Sequence, residues 1–76
     1  MGEWWDELEY RLLFESCPVS GPAPSGAALD ELARRLNHSR GGIVAQWEDA
    51  RQYCRGHATA ASDGLKAYVD RMRLCG

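Results

Sequence analysis

The stretch LDELARRLNHSRGGIVAQW, residues 29–47, limits what this chain can become more than any other. Leu29, Leu32, Ala33 and Leu36 recur at i, i+3, i+4 and i+7, which places all four on one face of a helix. Asn37, His38 and Ser39 then break the pattern. Asn is tolerated in the left-handed conformation that ends helices, and Ser39 can accept the free amide protons that open the next one. Beyond the break, Ile43, Trp47, Ala50 and Cys54 form a second stripe at helical spacing. Both faces must be buried. Gly41 and Gly42 lie in the first turn of this second helix, at a propensity cost of roughly 1 kcal/mol each, so something other than propensity has to hold that turn.

The flanks repeat the theme. Residues 3–16 read as a helix: Trp5, Leu8 and Leu12 form its apolar stripe, widened by Trp4 and Leu13, and Glu3, Asp6 and Glu7 favour the positive end of its dipole. Residues 17–26, CPVSGPAPSG, hold all three prolines and stop that helix. By its length this loop is either functional or mobile. Ser25 is placed to cap a helix over 27–36, and the next helix is expected over 40–55, ending at Gly56. After a short polar link, Ser62 opens a fourth helix in which Leu65, Tyr68, Val69 and Met72 share a face. Four helices and no strand signal make one all-α domain over residues 1–76, with a three-helix unit at 3–55 and a C-terminal helix at 62–74.

Seventy-six residues, 45% of them apolar, suffice for one core without staples. The net charge of −2 argues against a protein that coats nucleic acid by charge alone. It hides a gradient, however. Through residue 16, Glu3, Asp6, Glu7, Glu9 and Glu15 face only Arg11, whereas from Arg34 onward eight cations face Glu48, Asp49, Asp63 and Asp70. Cys17, Cys54 and Cys75 are odd in number and widely spaced, so reduced thiols are expected. No apolar run approaches the ~20 residues of a membrane span, and the acidic start is unlike a secretory signal. The expectation is an intracellular protein, cytoplasmic or nuclear, not secreted and not bound to a membrane.

Trp5 with its acidic helix, then LDELARRL, then NHSRGGIVAQW with Trp47 eleven residues after Leu36, resembles the Myb/SANT-like helix-turn-helix family over about residues 4–52. The resemblance implies a three-helix bundle in which Trp5, Leu29 and Trp47 take the positions of the family's spaced core aromatics, with an additional fourth helix outside the pattern. The middle aromatic is Leu29 here. DNA-binding members usually carry basic residues just before the last Trp, whereas this chain has Val44, Ala45 and Gln46 there, and its first loop is longer. SANT-type relatives with acidic surfaces tend to bind proteins.

Two functions follow as expectations. In the first, a small DNA-binding transcriptional regulator reads the major groove with its third helix, where Arg40, Val44, Glu48, Arg51 and Arg55 share a stripe. Gln46 would read adenine, and Arg34, Arg35 and His38 would add backbone contacts. The plain alternative for these residues is a solvated face whose ion pairs are worth ~0 to 1 kcal/mol. In the second, the same fold is an interaction module for a transcription or chromatin component, docking through Trp4, Asp6 and Glu7. The fourth helix, residues 62–74, offers a seam for a homodimer. Cys54 and His57 lack the paired spacing of a zinc site, and Cys54 is expected to fill the core beside Trp47. Nucleophile triads, phosphate loops and specific carboxylate pairs are missing from the sequence, so no enzyme, metal, cofactor or small-molecule substrate is expected.

Overall fold

The computed structural model describes residues 4–57 and 60–76 as four helices: α1 Glu7–Ser16, α2 Gly26–Leu36, α3 Arg40–Cys54 and α4 Asp63–Met72. Among the described residues there is no strand, and the chain is all-α as its periodicity requires. Glu3, expected in the first turn of α1, and residues 58–59 of the polar link lie outside the described residues.

α1 begins at Glu7 and not at residue 3, because Asp6 and Glu9 form a capping box. The Asp6 carboxylate accepts from the Glu9 amide at 2.8 Å, and Glu9 Oε1 accepts from the Asp6 amide at 3.0 Å. Tyr10, Leu13 and Phe14 turn inward, while Leu8, which the spacing had placed on the buried stripe, is 72% exposed. Trp5 enters the core from non-helical chain ahead of α1.

The central stretch folds as its pattern indicates. α2 buries Leu32 and Leu36 and ends at Asn37, whose left-handed backbone (φ 57°, ψ 38°) lets its amide bond the Ala33 carbonyl. Ser39 Oγ accepts from the Gly42 amide at 3.0 Å, and the Arg40 guanidinium pairs with Asp30 of α2. These two contacts hold the glycine turn that propensity alone would not.

Trp47 is fully buried, and its indole N–H donates to the Cys17 carbonyl at 3.0 Å. The bond ties the Pro-rich loop to the centre of the bundle, and Val19 and Pro24 of that loop are buried with it. Leu13, Ile43, Leu65 and Val69 are the other fully enclosed large side chains, one each from α1 and α3 and two from α4. At about 1.5–3 kcal/mol per such side chain, this shared centre is the main source of stability.

Ser62 Oγ accepts from the Leu65 amide at 3.2 Å and opens α4, which turns Leu65, Tyr68 and Val69 inward. The apolar stripe offered as a dimer seam is thus buried within the chain. Met72, expected on the same stripe, is exposed: α4 stops there, Arg73 takes a left-handed conformation (φ 54°), and the Leu74 amide returns to the Val69 carbonyl at 3.1 Å.

The expectation of three reduced thiols is corrected. Cys54 and Cys75 form a disulfide, with their Cα atoms 5.1 Å apart, and Cys17 alone is free. A spacing of 21 residues carried no sign that the turn after α4 folds back onto the end of α3. No helix among the described residues is long and apolar enough to cross a membrane.

Candidate functional site

The residues proposed to contact DNA lie on α2, the turn after it and α3, in different surroundings. Arg34 and Arg35 are exposed near the end of α2, where Arg34 pairs with Glu31 and, mainly through that hydrogen bond, holds the Glu31 carboxyl below its ordinary range. Arg40 is paired with Asp30. Arg51 is half-buried, with its guanidinium 5.3 Å from the centroid of the Trp47 ring, and Arg55 is exposed beyond the last turn of α3. Val44 and Gln46 are half-buried, and the enclosed Oε1 of Gln46 has no protein partner among the described residues.

His38 has a different task from the backbone contact expected of it. Its side chain is only 8% exposed and stacks on Trp5, with centroids 4.2 Å apart and planes 5° from parallel. Its Nε2–H donates to Glu9 Oε2 at 2.9 Å. Since Glu9 also closes the capping box, one carboxylate joins the start of α1 to the turn before α3. His38 therefore positions Trp5 and α1.

That arrangement separates two neighbouring tryptophans. Trp5 lies between His38 and Tyr10, whose ring centroid is 5.7 Å away, while Trp4 is 84% exposed. Only the second of the two adjacent tryptophans belongs to the core. Trp4 stands at the rim of a groove of about 300 Å³ between the start of α1 and α4. Trp5, Tyr10 and Tyr68 give the groove aromatic walls, and Gly64 and Ala67 of α4 keep it open by presenting almost no side chain. Only Ser62 Oγ, at 4.0 Å, would meet a Cβ added at Gly64.

The polar edge is made by Asp6, Glu7 and Arg71. Arg71 pairs with Glu7 and lies 5.7 Å over the Tyr68 ring, so one cation spans α1 and α4. Asp6 lines the same edge, held by its capping bond to the Glu9 amide. Burial raises the Tyr68 phenol above its ordinary range, so that wall stays neutral near pH 7.

Trp4, Asp6 and Glu7 were legible as candidate contacts from the sequence, whereas Tyr10, Gly64, Ala67, Tyr68 and Arg71 were not. The available signal was the i, i+3, i+4 run of Gly64, Ala67 and Tyr68, which puts two near-absent side chains beside an aromatic one on α4. Nothing in the spacing said that this strip would face α1. No family model, curated protein or solved structure matches the chain.

Proposed function

We propose that this chain is a protein-interaction module, built on a SANT-like helix-turn-helix unit of α1–α3, that docks a partner through Trp4 and the α1–α4 groove. One observation carries the reading: a tryptophan is left 84% exposed at the mouth of an aromatic-walled groove in a domain that buries its other two. Isolated exposed apolar residues need no explanation, but an aromatic anchor beside a concave apolar site does.

The partner fits as an amphipathic segment that places one large apolar side chain between Tyr10 and Tyr68 and a Lys or Arg toward Asp6. Two carboxylates against one arginine leave that edge negative, in line with the acidic start of the chain. The resemblance to SANT-type domains points to a component of transcription or chromatin complexes and to an intracellular setting. The duplex-reading alternative requires Arg40, Arg51 and Arg55 to be presented together, and ion pairing of the first and half-burial of the second speak against it.

The test is a titration with amphipathic peptides carrying Lys or Arg beside a large apolar residue, read by tryptophan fluorescence and amide chemical shifts. Shifts confined to the groove, lost in Trp4→Ala and in the groove-filling Ala67→Trp, are expected. Perturbation of α3 by duplex DNA instead, with affinity falling steeply with salt, would overturn the reading.

A further inference from the structure

We propose that the Cys54–Cys75 bond is a thiol–disulfide exchange site, a latch that a dithiol reductant opens to release the turn after α4 from the end of α3 while the bundle stays folded. This inference is independent of the groove. It starts from access. Cys75 is exposed and Cys54 half-buried, so an incoming thiolate reaches the Cys75 sulfur. Both cysteines line a second cavity, of about 230 Å³, together with Arg51, Arg55, Leu74 and Val19.

The chemistry balances with the reductant alone. Its first thiolate attacks Cys75 Sγ, the Cys54–Cys75 bond breaks, and Cys54 leaves as a thiolate in the cavity it shares with two guanidinium groups, which favour that charge. The second thiol of the reductant, deprotonated, then attacks the mixed disulfide and expels the Cys75 thiolate. The reductant ends as its own disulfide, and two electrons have passed to the protein.

The bundle does not need the bond to keep α4 in place. Leu65 and Val69 are fully buried, the Tyr53 hydroxyl donates to the Asp70 carboxylate, and Arg71 pairs with Glu7. What the bond does hold is residues 73–76. There the Leu74 amide bonds Val69 and the Gly76 amide bonds Arg73. Release of this turn uncovers the Val19 side of the cavity together with Arg51 and Arg55, a surface of opposite charge to the groove edge.

Cys17 supplies the control. It is buried, its carbonyl receives the Trp47 indole bond, and desolvation pushes its thiol above the ordinary range. It therefore reacts with an alkylating reagent far more slowly than an exposed thiol while the bundle stays folded.

The experiment treats the oxidised, folded protein with dithiothreitol and then iodoacetamide without denaturant, and maps adducts by mass spectrometry. Expected are two adducts, on Cys54 and Cys75, an unlabelled Cys17, unchanged helical circular dichroism, and complete loss of amide protection at Arg73, Leu74 and Gly76 against a uniform, partial fall in the helices. A Cys54→Ser/Cys75→Ser variant should show the same exchange pattern without reductant. Labelling only after denaturation would overturn the proposal, as would labelling of all three cysteines with loss of helix, or a failure of the bond to form under oxidised glutathione. Should the double variant not fold, the reduction of the unmutated protein decides alone.

Discussion

Trp47 and Trp4 are the same side chain put to opposite uses. Trp47 is fully enclosed, and its one polar atom is bonded to the Cys17 carbonyl. Trp4 is 84% exposed at the edge of a groove. Residue type does not separate them; what surrounds each does. Trp47 sits mid-helix on a face that α1, α4 and the Pro-rich loop all cover, whereas Trp4 lies ahead of the Asp6 cap, outside any helix. The first is fixed by many neighbours and the second by few, so the interior should respond to substitution through stability and the groove through binding.

The largest effect expected is at the centre. Trp47→Ala should cost about 3–5 kcal/mol, most of the stability of a domain this small, and abolish cooperative unfolding in a denaturant titration. Trp47→Phe keeps an aromatic side chain but leaves a small void and strips the Cys17 carbonyl of its donor, the lost bond alone costing about 1–3 kcal/mol. If Trp47→Ala instead unfolds with an unchanged midpoint, the contrast between the two tryptophans fails at its strong end.

Next comes the staple between α3 and the turn after α4. Breaking it with Cys54→Ser/Cys75→Ser should remove about 3 kcal/mol through the restored freedom of the unfolded chain. That corresponds to a fall in Tm on the order of 10–20 °C by calorimetry, with the helical content retained at low temperature. A change of only a degree or two would mean that the turn is held by Leu74 and its backbone bonds alone.

How much of this was readable in advance depended on whether a feature is local. The α2–turn–α3 stretch was legible almost residue by residue, because spacing, Asn37 and Ser39 all act within one or two turns of helix. α1 was legible as a helix but not in phase. Its apolar residues fit two faces, and the choice fell to packing against Tyr68 of α4, which spacing within α1 does not reveal. The disulfide and the α4 wall of the groove were not legible at all, since both depend on how the chain returns across many residues. Of the candidate contacts, Trp4 stood out by its chemistry. His38 misled for the same reason: an imidazole beside arginines resembles a phosphate contact until Trp5 and Glu9 are seen to enclose it.

His38 lies between the two extremes and sharpens them. His38→Ala should cost roughly 1–3 kcal/mol, from the lost stack and the lost bond to Glu9, and should loosen Trp5 without exposing Trp47. Fluorescence quenching by iodide would read this as one newly accessible tryptophan. Trp4→Ala, in contrast, should change stability by less than about 0.5 kcal/mol. It should nevertheless weaken peptide binding by at least about 2 kcal/mol, roughly thirtyfold in Kd. A stability loss at Trp4 as large as that at His38 would erase the distinction between anchor and core.

The smallest effect expected separates an exposed polar tie from the buried apolar ones. The Tyr53 hydroxyl donates to both Asp70 oxygens, at 3.0 and 2.8 Å, joining α3 to α4 on the surface. Mainly through that bond, the phenol lies above its ordinary range in the folded protein. A raised acid is favoured in its protonated form by folding. Its contribution to stability is therefore fully present below the ordinary tyrosine range and is lost as pH rises through the folded value. Burial raises Tyr68 as well, so the wild-type pH profile mixes two groups. Tyr53→Phe isolates one of them: it should be slightly less stable than wild type near pH 7, and the gap should close or reverse in alkali, where tyrosinate would face the Asp70 carboxylate. Thermal unfolding of both proteins across that range tests it. A gap that stays constant with pH would mean that Tyr53 acts through ring packing, like the residues around Trp47, and not through its hydroxyl.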